Sequence, residues 1–113
     1  MNRYIIQQTE SIREALVSLN QISSDTQSLL VVDEEQKLVG TLTDGDIRRG
    51  LISGAELSDS VNTIMHKDFK YILASEYDVV LIRKFRDKNI LFIPVLDEEH
   101  HIVKVLNLKK MKS

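Results

Sequence analysis

The chain carries one stretch twice. LLVVDEEQKLVGTLT (29–43) lies beside FIPVLDEEHHIVKVLN (92–107). Matching Asp33-Glu34-Glu35 to Asp97-Glu98-Glu99 fixes an offset of 64 positions, from 33 to 97. At that offset Val31 falls on Val95, Leu38 on Ile102, Val39 on Val103 and Leu42 on Leu106. An internal repeat restricts the fold more than any other property of a 113-residue chain, because both halves must be built from the same elements. Neither half has enough apolar surface for a comfortable core of its own. The expectation is two halves packed face to face about a pseudo-twofold axis, sharing one core.

Each copy reads as strand, acidic turn, strand: short polar residues separate two apolar runs. A helix precedes each pair. In the first copy Ser11 stands three residues before Glu14, a capping box, and Ile12, Ala15, Leu16, Leu19 and Ile22 follow at helical spacing. In the second, Ser75 is the expected N-cap with Asp78 at the third helical position, Val79, Ile82 and Phe85 form the stripe, and Asn89 is the stop. Short extended runs, YII (4–6) and FKYIL (69–73), come before the helices. After the first copy DIRRGLIS reads as a closing helix ended by Gly54. ELSDSVNTIM then links the copies, with Ser58 or Asp59 capping a further short helix. The closing helix of the second copy has only begun, at LKKMKS, at Ser113. The fold class expected is α+β: two tandem β-α-β-β-α repeats, 1–57 and 58–113, the second truncated at its last helix.

Several functions drop out. No cysteine is present, so disulfides, thiolate nucleophiles and Cys-based zinc sites are excluded. The pair His100-His101 lies in a turn with no third ligand at metal spacing. GxxxxGK[ST], GxGxxG and GxSxG are all missing. A net charge of −2 gives no pull toward nucleic acid or anionic lipid. The apolar runs are far short of a membrane span, and MNRYIIQQ lacks the apolar stretch of a signal peptide. The expected setting is cytoplasmic, with neither membrane nor nucleic acid as partner.

The corner between the second strand and the closing helix, GTLTDGDIRR (40–49), concentrates the remaining chemistry. Asp44-Gly45 reads as a turn with a helix starting near Asp46. Gly40 removes a side chain where another backbone or a ring approaches. Thr43 offers a hydroxyl, and Asp46, acceptor-only when ionised, suits the two hydroxyls of a ribose. Helix-start N–H groups favour an anion nearby, and Arg48 or Arg49 can clamp a phosphate. Adjacent helical residues diverge by about 100°, so at most one of them faces the site. The same residues also make a good helix N-cap, and capping and ligand binding can coexist. In the second copy Gly40 maps to Lys104, Thr43 to Asn107 and Asp46 to Lys110, which leaves one competent site per chain. Lys109, Lys110 and Lys112 read mainly as a solvated basic tail.

LLVVDEEQKLVGTLTDGDIRRGL, VNTIMHKDF and LFIPVLDEEHHIVKVL together resemble a tandem pair of CBS domains, a Bateman module, over nearly the whole chain. TDGDIRR is most similar to modules attached to sugar-phosphate nucleotidyltransferases, where the pair precedes the catalytic domain, and to arabinose-5-phosphate isomerases. The resemblance implies that Gly40, Thr43 and Asp46 contact a nucleotide's ribose and phosphate. The ligand-binding set is then Gly40, Thr41, Thr43, Asp46 and Arg48, with Ile5 and Ile6 from the run 4–8 at the base; Phe69 to Leu73 is a further candidate for that role. It also implies a non-catalytic regulatory module that needs no cofactor. The module would hold an adenine- or cytidine-type nucleotide (AMP, ADP or ATP, or a cytidine nucleotide) in the cleft between the halves. It would associate as a homodimer and modulate a catalytic domain in cis or in trans. The alternative is a dimerisation or interaction module with no functional ligand site.

Overall fold

The computed structural model describes residues 4–22, 28–90 and 92–108. The chain divides into two compact units, Met1–Phe69 and Lys70–Ser113. Each holds a three-stranded sheet. In the first, β1 (Ile5–Gln7), β2 (Ser28–Val32) and β3 (Leu38–Thr43) lie in the order β1-β2-β3, with β1 parallel and β3 antiparallel to β2. The helix α1 (Ile12–Gln21) crosses between β1 and β2, and α2 (Asp44–Ile52) follows β3 directly. In the second, β4 (Ile72–Leu73), α3 (Val79–Asp87), β5 (Phe92–Leu96) and β6 (Ile102–Asn107) repeat the arrangement in the order β4-β5-β6.

The duplication extends to hydrogen-bond detail. The bounds of β5 and β6 are those of β2 and β3 moved by 64. Both ladders shift register at equivalent places, Val31/Val32 and Val95/Leu96. In one turn Asp33 Oδ1 accepts from the N–H groups of Glu35 (2.9 Å) and Lys37 (3.0 Å). In the other Asp97 Oδ1 accepts from Glu99 (2.9 Å) and His101 (2.8 Å). Gln36 and His100, 64 positions apart, both take the left-handed conformation, at φ 67° and 69°. The aspartate acts as a local acceptor that closes an Asx-type turn.

The expected capping box of α1 is present: Glu14 N–H donates to Ser11 Oγ, and Glu14 Oε1 accepts from Ser11 N–H. Ile12 and Ala15 are buried, and Leu16, Leu19 and Ile22 pack against the same core with Ile6, Leu29, Val31, Leu42, Ile47 and Val61. In the second unit Ile72, Ile93, Val95 and Leu108 form the buried cluster, with Leu81, Ile82, Phe85, Ile90 and Leu106 against it. Asp78, not Ser75, caps α3: its Oδ1 accepts from Val80 N–H, while Ser75 sits in a 3-10 turn, Ala74–Glu76. The later start turns Val79 off the stripe and leaves it 65% exposed, with Leu81 taking its place. Asn89 ends α3 as expected, at φ 63°. Ile90 N–H bonds Phe85 C=O and Asn89 N–H bonds Arg86 C=O, a Schellman closure. Gly54, at φ 114°, ends α2 in the same way, through Ala55 to Gly50 and Gly54 to Leu51.

The linker forms a 3-10 turn, Val61–Thr63, preceded by Ser60; neither Ser58 nor Asp59 caps it. Asp59 Oδ2 instead accepts from Glu56 N–H. Residues 59–66, counted by sequence with the second repeat, bond to first-unit elements. Ile12 N–H donates to Asp59 C=O, Val61 N–H to Glu10 C=O, and His66 exchanges both backbone bonds with Thr41. The closing helix placed at LKKMKS, with Lys109, Lys110, Met111 and Lys112, lies past Leu108, outside the described residues.

Candidate functional site

The residues singled out at the corner divide between faces of the first sheet. Paired residues across a ladder project to the same side, and neighbours along a strand alternate. Ile6, Val31 and Gly40 are in register on the core face, and Ile5, Leu30 and Thr41 are in register on the opposite face. Ile6 is accordingly buried in the core. Ile5, Thr41 and Thr43 are the candidates that share this opposite face, where Leu30 between them is fully buried. Met65 and His66 account for Gly40: a Cβ there would stand 2.6 Å from Met65 Sδ and 3.2 Å from His66 C=O. The glycine admits the protein's own linker rather than a ring.

The corner itself is tighter than the sequence suggests. Asp44-Gly45 is the first turn of α2, and Thr43 is the N-cap. Asp46 N–H donates to Thr43 Oγ1 (3.2 Å). In return, Asp46 Oδ2 accepts from Thr43 N–H (3.0 Å) and from its hydroxyl (3.0 Å). Asp46 Oδ1 accepts from Arg49 Nη2 at 2.8 Å. The carboxylate is thus turned onto its own backbone, with a side chain only 16% exposed. Space nevertheless opens beside it. A cavity of about 480 Å³ is lined by Asp46, Arg49, Gly50 and Ser53 of α2 and its C-cap, and by Ala55, Asp59, Thr63 and Ile64 of the linker. That volume is within the range of small-molecule sites. Arg48 leaves this group: its Nη1 lies 3.8 Å from Asp44 Oδ2 on the exposed surface. One arginine of the pair faces the cavity, and it is Arg49.

The far wall was not legible from the corner motif. Positions 46, 49, 50 and 53 are spaced to share one helical face, and their small or polar character was an available signal. The linker's contribution had none, because it depends on where 55–64 folds back. A smaller cavity of about 340 Å³ is lined by Leu16, Leu19 and Asn20 of α1 and by Asp44.

In the second unit Lys104 stands where β3 has Gly40, and its Nζ lies 4.5 Å over the Tyr77 ring. Asn107 takes the place of Thr43, and Lys110 lies outside the described residues. His100 and His101 are in the expected turn, His100 against the Tyr71 ring (5.3 Å) and His101 Nδ1 3.4 Å from Asp97 Oδ2. Backbone donation from His101 lowers the Asp97 pKa below its ordinary value. Among the described residues no group of three or more His, Asp or Glu is placed to hold a metal ion. No described helix is long and apolar enough to cross a membrane.

A strand–helix–strand–strand unit written twice, with GTLTDGD at the first strand-to-helix corner, matches a known module. The CBS domain family model covers residues 1–53. The chain is a CBS-domain pair (Bateman module), homologous to the CBS domains found in arabinose-5-phosphate isomerases, and belongs to a class of modules that are typically regulatory and non-catalytic. It is similar to the uncharacterized protein RP505 of Rickettsia prowazekii (strain Madrid E), 32% identical over 84 residues, 74% of this chain and 26% of that protein. It is similar to the arabinose 5-phosphate isomerase GutQ of Shigella flexneri, 28% identical over 101 residues, 89% of this chain and 31% of that protein. Among solved structures it is similar to the CBS domain pair of protein MJ0100 in complex with 5'-methylthioadenosine and S-adenosyl-L-methionine. That match has a TM-score of 0.71 and 25% identity, covering 96% of this chain and 84% of that one. The chain spans about a quarter to a third of the length of the first curated relatives it matches.

Proposed function

We propose that the protein is a nucleotide-sensing regulatory module whose ligand sits at the Thr43–Asp46 corner of the first repeat. The observation that carries this is the cavity beside Asp46. A carboxylate suited to a sugar diol and a guanidinium suited to phosphate line one space of ligand size. The adenosine-containing ligands bound by the MJ0100 pair favour an adenine-type nucleotide, with a cytidine nucleotide as the competing choice. In this reading Asp46, set by its cap with Thr43, holds the sugar and Arg49 the phosphate, while Ile5 and Thr41, on the opposite face of the sheet, are outside the lining of this cavity. Binding shifts the module between states in proportion to its differential affinity for them. The output is the activity of a sugar-phosphate enzyme, and likeness to arabinose 5-phosphate isomerases favours that class over nucleotidyltransferases. We place the module in the cytoplasm, as a homodimer, with the catalytic domain in cis or in trans.

Isothermal titration with AMP, ADP, ATP, CMP and CTP tests this. Saturable binding that Asp46→Ala abolishes supports it; binding that survives that change moves the ligand elsewhere. One observation favours a second reading, an interaction module without a ligand. Both oxygens of Asp46 are already engaged by the protein's own groups. A flat titration across the whole panel, with a dimer in sedimentation, establishes that reading instead.

A further inference from the structure

Asp46 has one oxygen left to offer, and Arg49 is on it. A carboxylate oxygen carries two acceptor positions. Oδ2 spends both on the Thr43 N–H and hydroxyl, while Oδ1 takes Arg49 Nη2. A vicinal diol that grips Oδ1 with both hydroxyls must therefore displace the guanidinium. We propose that Arg49 is a built-in competitor for this oxygen, and that the competition makes the site select a diol accompanied by an anionic group over the same ligand without one. This rests on the nucleotide reading above and adds to it a discrimination between nucleotide and nucleoside.

Three features carry it. The Arg49 side chain is 67% exposed, so it is free to leave the carboxylate for another partner on the same cavity. It is also the single cation among the described residues lining that cavity, against Asp46 and Asp59. With Arg49 on Asp46, the remaining charge of the lining is the negative Asp59. An anionic ligand is accommodated once Arg49 turns to it. A neutral ligand breaks the ion pair and returns nothing to the guanidinium. Gly45 is the third feature. A Cβ at 45 would stand 3.1 Å from Arg49 Nη1 and 3.4 Å from Nη2. The guanidinium lies over the first turn of α2 at the one position with no side chain. The run DGDIRR thus places the carboxylate, its competitor and the space for that competitor within one and a half helical turns.

The exchange is of charge-assisted bonds, with an exposed pair given up and a ligand pair gained. Titration of the 113-residue chain with AMP and adenosine, and in parallel with CMP and cytidine, measures it. The wild type is expected to bind the nucleotide about tenfold or more tighter than its nucleoside. In Arg49→Ala and Arg49→Gln the nucleotide weakens roughly tenfold while the nucleoside is unchanged or a few-fold tighter, so the preference collapses. Gly45→Ala, a change that favours helix formation, crowds the guanidinium and tightens the nucleoside without removing the cation. A preference that persists in both Arg49 variants, or a parallel loss of both ligands, overturns the competitor role while leaving the nucleotide reading intact. Absence of binding by every ligand to every variant, with helix content retained by circular dichroism, overturns the nucleotide reading and this inference together.

Discussion

The two repeats share a hairpin, its strand bounds and register shift and its turn down to individual hydrogen bonds, and differ in what packs against it. Asp33 and Asp97 each hold two backbone N–H groups, and the residues at Gln36 and His100 take the same conformation. Beyond the hairpin, described linker residues pack against the glycines of the first repeat, and the one counterpart described in the second is a lysine. In the first, Gly40 admits the linker and Gly50 admits Ile64, whose Cγ2 would lie 2.5 Å from an added Cβ. In the second, Lys104 occupies the first of these positions and projects over Tyr77 instead. The strand pairing differs too. Leu30 N–H donates to Tyr4 C=O in the first sheet, but the equivalent residue in the second is Pro94, which has no N–H. The parallel partner is shortened accordingly, from three residues in β1 to two in β4. Duplication preserved the element whose geometry is local, and released the elements that depend on a neighbour.

This contrast can be broken by experiment, and the helix starts give the largest effect. Ile12 and Val79 are the first residues of α1 and α3, the former fully buried and the latter 65% exposed. Ile12→Ala is expected to cost about 2–5 kcal/mol and Val79→Ala less than about 0.5 kcal/mol, by urea denaturation. Equal costs would mean that the two helices are seated alike. Gly40→Ala comes next. The added methyl meets Met65 and His66, and destabilisation of about 1–3 kcal/mol is expected, visible as a lower Tm. Lys104→Ala, its counterpart, removes one cation–π contact and should cost no more than about 1 kcal/mol.

The turns provide a smaller, pH-resolved comparison. The Asp97 pKa is lowered from 3.8, mainly by the His101 N–H, so its contribution is full above that unfolded value and is lost as pH falls through the lower folded one. Acid titration of Asp97→Asn should show a flatter loss of stability below about pH 3.8 than the parent does. An unchanged acid limb would show that the turn does not hold the carboxylate in its charged form.

What the sequence disclosed follows the same division. The repeat, the capping box at Ser11, both helix stops and the acidic turns were legible because each depends on residues within a few positions of one another. The cap of α3 was misplaced because Ser75 and Asp78 are both good caps, and packing of Leu81 and Ile82 on the sheet decides between them. The N-cap of α2 was displaced by one local exchange: Thr43 and Asp46 satisfy each other, drawing Asp44-Gly45 into the helix. Gly40 and Ile6 were expected at a ligand, yet strand alternation turns both toward the core, where the linker and α1 fill the space. Arg49 rather than Arg48 reaches the cavity because it sits one turn beyond Asp46, on the same side of α2.

His66 carries a further consequence. By giving its N–H and C=O to Thr41, it occupies the rim of β3, which would otherwise present unpaired backbone groups to any passing chain. The period of the duplication and the boundary between the two compact units are therefore offset. A gene cut between Ser53 and Glu56, where the family match stops, would excise a fragment with a sticky border and a hole above Gly40; a cut after Phe69 would keep the segment that closes both.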